Sequence, residues 1–330
     1  MSSYIKESQY FGEKAIVFGN SQLEAVLVPG LGSNLISLKS KSKNADLLRV
    51  PESKSQYEKN PCLYGMPILF PPNRIDRGMF TYGDLTYQFA INEEKHNNHL
   101  HGFLYDKPWE LIKQEQNGES VRIVTEINSD DYTSITEQFP HSFSIKMTYT
   151  LDGSSLSTNA TISNHGTTKF PWGLGYHTTF NLPFSADGAL EDCTVSLPVD
   201  EHWTLSERKL PTGDIVKLTD AADFQQGISL SGKLFDDVYG YEKESELVNE
   251  AVITDHNEGI RIHYKCDKRF GHWVLFNGNG KDLSGFVCPE PYTWVTNAPN
   301  VELPDSVTGV RELKPGEEVN LISQLIVDTF

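Results

Sequence analysis

Residues 143–162 read Phe-Ser-Ile-Lys-Met-Thr-Tyr-Thr-Leu-Asp-Gly-Ser-Ser-Leu-Ser-Thr-Asn-Ala-Thr-Ile, and they carry the strongest secondary-structure signal in the chain. Apolar side chains alternate with Ser, Lys and Thr as far as Asp152-Gly153, and they alternate again from Leu156 onward. Successive side chains of a strand point to opposite faces of a sheet, and Asp-Gly is a strong turn signal. The stretch therefore predicts an antiparallel hairpin with one buried face.

Similar runs lie on both sides of this hairpin. Each is β-branched or apolar and is bounded by Gly, Asn, Ser or Pro. The predicted strands cover residues 15–18, 23–28, 34–38, 121–127, 251–254, 260–264, 273–276, 284–288 and 319–327. Residues 51–60 predict a short helix or an irregular excursion, and we find no long helix-period stretch, repeat or linker. The pattern predicts an all-β protein in which residues 1–330 form a single large, mostly antiparallel domain.

Bulk properties narrow the class of protein. A chain of 330 residues buries a large core without a disulfide or metal staple, and its four cysteines are scattered without a Cys-x-x-Cys pair. The absence of an apolar leader or a long apolar run predicts a cytoplasmic protein with free thiols and no membrane partner. The net charge of −17, spread along the chain, argues against nucleic acid as a partner. The oligomeric state stays open.

Two segments in the first third are rich in polar and turn residues. Within 65–80, prolines and an Asn-Arg pair follow an apolar run, which predicts a loop that exposes Arg74 either to solvent or to the oxygen atoms of a ligand. Within 96–103, His99 and His101 are two residues apart, so a strand would place both on one face. No Cys or acid stands at a supporting spacing, and we predict no metal site. Gly102 predicts the close approach of a ligand.

Two later segments complete the set. Residues 170–182 contain a proline, two glycines and several aromatics, which argue against a helix and place His177 where a strand opens into a pocket wall. A buried structural histidine is the alternative. Glu290 stands between Pro289 and Pro291, and such a rigid backbone suits a catalytic carboxylate that must be held still. Asp236-Asp237 supplies a further possible acceptor or a solvated turn.

In this order, Arg74 in Asn-Arg-Ile, His101 in Leu-His-Gly-Phe, His177 in Leu-Gly-Tyr-His-Thr-Thr-Phe-Asn-Leu and Glu290 in Cys-Pro-Glu-Pro resemble the aldose 1-epimerases, or galactose mutarotases. The resemblance runs over nearly the whole chain. It implies a large galactose mutarotase-like β-sandwich (supersandwich) that needs no cofactor. It also implies that Glu290 is the general base, that His177 is the general acid, and that Arg74, His101 and Asp236 hold a monosaccharide. Asp237 is the alternative to Asp236.

The implied reaction interconverts the α and β anomers of a free hexose by ring opening and closure. A hexose-6-phosphate 1-epimerase would need further cations, and only Arg74 and Arg77 stand near the motifs. A sugar-binding module without turnover would not need both Glu290 and His177, and a glycoside hydrolase would want two catalytic carboxylates. Tyr82, Trp172 and Phe180 are candidates for the apolar faces of a sugar, or for core packing.

Overall fold

Antiparallel strands dominate the computed structural model, which describes residues 3–241, 248–278 and 285–330. In chain order the strands are β1 (Tyr4–Tyr10), β2 (Glu13–Gly19), β3 (Leu23–Val28), β4 (Asn34–Ser40), β5 (Ala45–Asp46), β6 (Ile68–Leu69), β7 (Arg74–Asp76), β8 (Met79–Tyr82), β9 (Leu85–Gln88), β10 (Asn98–Leu100), β11 (Glu110–Asn117), β12 (Ser120–Asn128), β13 (Phe143–Asp152), β14 (Ser155–Asn164), β15 (Phe170–Trp172), β16 (Gly175–Tyr176), β17 (Phe180–Leu182), β18 (Cys193–Ser196), β19 (Glu201–Leu205), β20 (Pro211–Lys217), β21 (Asp236–Gly240), β22 (Glu250–Asp255), β23 (Ile260–Cys266), β24 (His272–Phe276), β25 (Gly285–Tyr292), β26 (Arg311–Leu313) and β27 (Glu318–Thr329).

The helices are all short. The α-helices are α1 (Lys54–Lys59), α2 (Thr133–Thr136), α3 (Ala221–Gln226) and α4 (Asp305–Thr308), and single 3₁₀ turns lie at Pro29–Leu31, Pro61–Leu63, Glu94–His96, Ser129–Asp131, Leu190–Asp192 and Ala298–Asn300. The helix predicted within 51–60 is α1, and it begins where the Ser53 side chain accepts a hydrogen bond from the Gln56 amide. No described helix has the length and apolar content needed to cross a bilayer.

Three large sheets contain most of the strands. One has five strands in the order β1-β2-β3-β4-β5. A second has eight strands in the order β11-β12-β13-β14-β27-β23-β22-β18. The third follows β20-β19-β21-β24-β25-β16-β6, and β17 also pairs with β25. Two-stranded ribbons join β7 to β10, β8 to β9 and β15 to β26. The prediction of an all-β, mostly antiparallel sandwich is confirmed.

The hairpin predicted at 143–162 lies at the centre of the second sheet. β13 and β14 pair from Phe143↔Asn164 to Asp152↔Ser155, and Gly153 takes a φ of 53° in the turn between them. The other predicted strands lie within observed ones, except that residue 284 falls outside the described residues. Sequence reasoning missed strands such as β11, because its Glu-Leu-Ile-Lys-Gln-Glu-Gln-Asn side chains are mostly exposed and lack an alternating apolar face.

One hydrophobic core joins all three large sheets, and part of it lies where the second and third sheets face each other. Tyr264 of β23 packs edge-on against Trp273 of β24, with ring centroids 5.8 Å apart, and Phe180 meets the same tyrosine at 6.1 Å. Burying a large apolar side chain contributes about 1.5–3 kcal/mol, so these contacts hold β24 and its neighbours firmly against the second sheet. The opposite face of β24 and β25 is left to line a cavity.

Candidate active site

The cavity is formed where β21, β24 and β25 turn alternate side chains away from the core. Cross-strand pairing sets Asp236 opposite Phe276 and Val274 opposite Glu290, which places all four on one face of the sheet. This face borders a cavity of about 810 Å³. Its lining includes all five residues that the resemblance implied: Arg74, His101, His177, Asp236 and Glu290.

Glu290 and His177 meet at the inner wall of this cavity. Their side chains are 2% and 6% exposed, and Nε2 of His177 lies 3.3 Å from Oε1 of Glu290. Tyr292 donates a hydrogen bond to the other carboxylate oxygen, Oε2. The backbone amide of His177 donates to the Pro67 carbonyl at 3.1 Å, just after β16 ends. The two predicted acid–base residues therefore lie in direct contact.

Burial shifts both of these groups toward their uncharged forms. It lowers the pKa of His177 to about 4. It also raises the pKa of Glu290 well above its usual range; the Tyr292 hydrogen bond opposes that rise, while nearby Asp236 adds to it. Nδ1 of His177 is buried without a hydrogen-bond partner among the described residues. Such opposed shifts in a neighbouring pair are typical of acid–base sites.

Arg74 reaches the cavity from the start of β7, and Glu93 holds it there. Its Nε lies 2.9 Å from Oε2 of Glu93 and its Nη2 lies 2.9 Å from Oε1, which is a two-pronged contact. Glu93 also contacts Nδ1 of His96 at 3.0 Å and accepts from Nδ2 of Asn98 at 3.0 Å. Burial alone would raise the pKa of Glu93, but these partners, Arg74 above all, lower it on balance. Arg74 is therefore a fixed donor and not a solvated surface arginine.

His99 and His101 do not share a face, which corrects the prediction from their spacing. β10 ends at Leu100, and His101 takes a left-handed φ of 66° that turns its ring to 5.2 Å from the His177 ring. His99 stays in the core, where its Nδ1 lies 2.7 Å from the Ala90 carbonyl. Desolvation, with a smaller contribution from His177, keeps the pKa of His101 well below its usual range.

The glycines that predicted close approach serve packing. A Cβ atom on Gly102 would lie 2.1 Å from the Phe70 carbonyl oxygen, so the neighbour there is backbone, and the prediction of a ligand was wrong. Cβ atoms on Gly173 and Gly175 would each lie 2.3 Å from a ring atom, of Trp294 and Tyr292 respectively. The close neighbours of these two glycines are therefore the rings of Trp294 and Tyr292.

Asp236 and Asp237 both line the cavity, but their side chains have different partners. Asp236 shares the Glu290 face of the sheet, and its Oδ2 lies 2.9 Å from Nζ of Lys209. Asp237 follows it on β21, and its Oδ1 lies 3.2 Å from Nε2 of His202. Alternation along the strand therefore favours Asp236 as the carboxylate that faces the same space as Glu290.

Residues 14–325 match the family described as Aldose 1-epimerase. The chain belongs to the aldose 1-epimerase family. It is similar to a galactose mutarotase of Sus scrofa, with 29% identity over 294 residues that cover 83% of this chain and 81% of that protein. The galactose mutarotase of Mus musculus is 26% identical over the same shares. A solved galactose mutarotase-like protein of Clostridium acetobutylicum superimposes with a TM-score of 0.93 at 29% identity, over 100% of this chain and 99% of that one.

Family membership indicates an isomerase-type enzyme that acts on a sugar, and the cavity lining bears on which sugar. Lys59, Lys95 and Lys209 line it, whereas Arg77 is not among its lining residues. The expectation that only Arg74 and Arg77 supply cations near the motifs was therefore wrong. The four basic residues, with Arg74 included, face four acidic ones: Glu93, Asp236, Asp237 and Glu290.

The aromatic side chains on the cavity are not the ones that the sequence suggested. Phe235, Phe276 and Tyr105 line it, and the Phe276 ring lies 6.2 Å from the His177 ring. Trp172 and Phe180 are buried in the core, and the Tyr82 hydroxyl donates to Glu312. For these three residues the core-packing alternative holds, since Tyr82 also packs against the core cluster.

Three side chains in or beside the cavity wall could together offer ligand atoms to a metal ion. His177, Cys288 and Glu290 each offer an atom, and the three atoms lie within 4.8 Å of one another. The Cys288 thiol donates to Oγ1 of Thr179 at 3.3 Å, and burial raises its pKa well above the ordinary value. Metals bind the thiolate, so this thiol would have to lose its proton before it could coordinate a metal. We interpret Cys288 as a structural cysteine beside His177 and Glu290.

Sequence reasoning missed Glu93 and Tyr292. Tyr292 stands two residues after Glu290, and on a strand that spacing alone places both side chains on one face. Glu93 carried no comparable signal, because its approach to Arg74 depends on the loop between β9 and β10.

Proposed function

We propose that this protein is an aldose 1-epimerase that interconverts the α and β anomers of a free hexose, with Glu290 as general base, His177 as general acid and no cofactor. The contact of 3.3 Å between Nε2 of His177 and Oε1 of Glu290, buried on the wall of the cavity, carries the proposal. Geometry of this kind, with both groups within reach of one bound molecule, is the first requirement for acid–base catalysis.

The chemistry needs only the movement of two protons. Glu290 takes the proton of the anomeric hydroxyl while His177 gives one to the ring oxygen, and the bond between C1 and the ring oxygen breaks. An open-chain aldehyde results. Rotation about the C1–C2 bond presents the other face of the carbonyl, and the two residues exchange roles as the ring closes. Protons and electrons balance, so no external acceptor is required.

The pair is suited to hold the one mobile proton that this scheme needs. Burial favours the uncharged form of each residue, so over intermediate pH the pair keeps one proton and no net charge. A bound sugar then draws that proton to His177 and leaves Glu290 ionised. Two groups whose surroundings move their pKa values in opposite directions provide an acid and a base together.

Arg74, His101 and Asp236 are the proposed sugar-holding residues. Arg74 offers a planar set of donors that Glu93 already orients, and the His101 ring stands edge-on to that of His177. Hydrogen bonds from these donors favour the state in which negative charge builds on a sugar oxygen. The aromatic ring of Phe276 can cover an apolar sugar face.

A hexose 6-phosphate is the second candidate substrate, and the lining lysines are the observation that favours it. Lys209 is already paired with Asp236, whereas Lys59 and Lys95 form no ion pair with a carboxylate among the described residues that line the cavity. Both are exposed, and four carboxylates share the same space. We therefore rank the free sugar first.

The test is an anomerisation assay with freshly dissolved α-sugars, followed by polarimetry or NMR. We expect acceleration over buffer for free hexoses, and slower turnover of their 6-phosphates. A clear preference for glucose 6-phosphate would promote the second candidate. Sugar binding by calorimetry without any acceleration would identify a non-catalytic module and contradict the proposal.

A further inference from the structure

Tyr292 is the nearest hydrogen-bond partner of the proposed base, and the reaction scheme above does not use it. It stands on β25 two residues after Glu290, is fully buried, and donates its hydroxyl to Oε2 of the carboxylate. His177 approaches the other oxygen, Oε1. The two carboxylate oxygens therefore have different surroundings: one faces the protein, and the other faces the imidazole beside the cavity.

The tyrosine itself is held in place from two sides. Its ring lies against Gly175, where a Cβ atom would approach within 2.3 Å. Its hydroxyl oxygen is 3.5 Å from Nδ2 of Asn73, which can donate to it, and Oδ1 of Asn73 accepts from the Arg74 amide at 2.8 Å. A phenol both accepts and donates, so a chain of contacts runs from Asn73 through Tyr292 to Glu290. Asn73 thus contacts both the backbone amide of Arg74 and the tyrosine that holds the Glu290 carboxylate.

We propose that Tyr292 is a positioning residue that fixes the Glu290 carboxylate through Oε2, so that Oε1 is the oxygen that exchanges the proton with the sugar. This inference rests on the proposed function for its catalytic meaning. A carboxylate held at one oxygen loses its rotational freedom, and its second oxygen stays aimed into the cavity. The hydroxyl also stabilises the ionised form that a general base must adopt.

Several other groups on neighbouring elements also influence the pKa of Glu290, and the effect of Tyr292 has to be distinguished from theirs. The titratable and charged groups that surround it are His177, His101, Arg74, Asp236, Cys62 and Cys288. Arg74 lowers the pKa of Glu290 through charge alone, and Asp236 raises it. Tyr292 lowers it through a direct hydrogen bond, so without the hydroxyl the carboxyl keeps its proton to higher pH.

Tyr292→Phe is the direct test, because it removes the hydroxyl and keeps the ring over Gly175. A hydrogen bond to a charged group is worth enough that kcat/KM should fall by about 10- to 100-fold, with KM little changed. The alkaline limb of the pH profile should move to higher pH. Tyr149→Phe is the matched control: its buried hydroxyl donates to the Ser33 carbonyl at 2.6 Å in the core, and its loss should leave the pH profile in place.

A double variant separates positioning from a general structural effect. If Tyr292 acts through Glu290, then adding Tyr292→Phe to Glu290→Gln should cause no further loss of the residual rate. A loss of equal size in both backgrounds would overturn the proposal. So would a Tyr292→Phe variant whose rate and pH limbs match the parent.

A spectroscopic measurement keeps this test independent of the reaction. The infrared difference between the parent and Glu290→Gln isolates the carboxyl band of Glu290, and its midpoint can be followed with pH. In Tyr292→Phe that midpoint should rise, while in Tyr149→Phe it should not. An unmoved midpoint overturns the role of Tyr292 even if the protein is an epimerase, and a raised midpoint in a protein that anomerises no sugar contradicts only the proposed function.

Discussion

His177 and Glu290 lie 3.3 Å apart in a buried setting, and the expected pH dependence follows from that closeness. Two groups that interact so strongly lose their protons in steps that belong to the pair. In the proposed mechanism the active pair holds one proton. A second proton at low pH removes the base, and loss of the last proton at high pH removes the acid.

We therefore predict a bell-shaped profile of kcat/KM. The acid limb should lie near pH 4, because burial lowers the pKa of His177 to about 4, and activity falls as pH drops through it. The alkaline limb should lie well above the usual range of a carboxyl group, because burial raises the pKa of Glu290. Initial anomerisation rates from pH 3.5 to 10 check this, after subtraction of the buffer rate. An acid limb centred near 6.5, the ordinary value for histidine, would contradict it.

The contact between Glu93 and Arg74 yields a second prediction. Glu93→Gln keeps the shape of the side chain and removes the charge that orients the Arg74 guanidinium. We expect KM to rise by roughly tenfold with a smaller change in kcat, because Arg74 is proposed to bind the sugar and not to move protons. Glu94→Gln, at the exposed neighbouring position, is the control. A variant of Glu93 with an unchanged KM would show that Arg74 is held without it.

Some of these residues could be predicted from the sequence and others could not. Glu290 between two prolines and His177 among glycines and aromatics carry a local signal, because their settings are unusual for surface side chains. The role of Glu93 arises from a contact across a loop that no local pattern encodes, whereas the two-residue spacing of Glu290 and Tyr292 was a local signal that the sequence analysis did not use. His99 shows the opposite error: a strand-like spacing predicted a shared face, but the left-handed backbone at His101 ended the strand first.

The register of β25 sets which of its side chains share the cavity face of the third sheet. Glu290 lies opposite Val274, and Tyr292 lies opposite both His272 of β24 and Gly175 of β16. The absence of a side chain at Gly175 lets the tyrosine ring pack closely against β16. The glycine correctly predicted a close approach at this position. The sequence could not show that the neighbour is the Tyr292 side chain on the adjacent strand of the same sheet.

Gly175→Ala tests this packing. The added Cβ would lie 2.3 Å from the Tyr292 ring and 2.8 Å from Pro72, so the ring must move. Overpacking of this kind costs about 1–3 kcal/mol of the free energy of unfolding, and we expect activity to fall with the displaced tyrosine. Gly271→Ala is the control, since its Cβ meets nothing within 4 Å. Urea denaturation of both variants checks the difference, and equal stabilities would contradict the packing account.

For the whole molecule, the fold class could be predicted because many strands with alternating apolar and polar side chains must bury their apolar faces, and few architectures allow this. The single-domain organisation of residues 1–330 stays a prediction; in its favour, one hydrophobic cluster contains residues from all three large sheets, such as Leu27, Ile145 and Trp273. The cavity chemistry was less predictable, because Lys59, Lys95 and Lys209 come from three separate parts of the chain: the end of α1, the 3₁₀ turn at Glu94–His96 and the turn between β19 and β20.

A prediction about metal concerns the molecule as purified. We expect no stoichiometric zinc, and we expect prolonged chelation to leave anomerisation unchanged, because Cys288 is held as a thiol and His177 and Glu290 are assigned to proton transfer. Elemental analysis and an assay before and after chelation check it. Bound zinc whose removal abolishes activity would show that the set of His177, Cys288 and Glu290 is a metal centre.

The most direct test of the acid–base pair is Glu290→Gln, measured by progress curves with a freshly dissolved α-sugar and by calorimetric binding of the same sugar. The substitution keeps the volume and the flanking prolines but cannot accept a proton. Turnover should fall by about 10²–10⁴-fold while affinity changes little, and His177→Asn should lose a similar factor. The double variant should lose less than the product of the two, because both act in one transfer. If Glu290→Gln binds the sugar and turns it over like the parent, Glu290 is not the base and the mechanism is wrong.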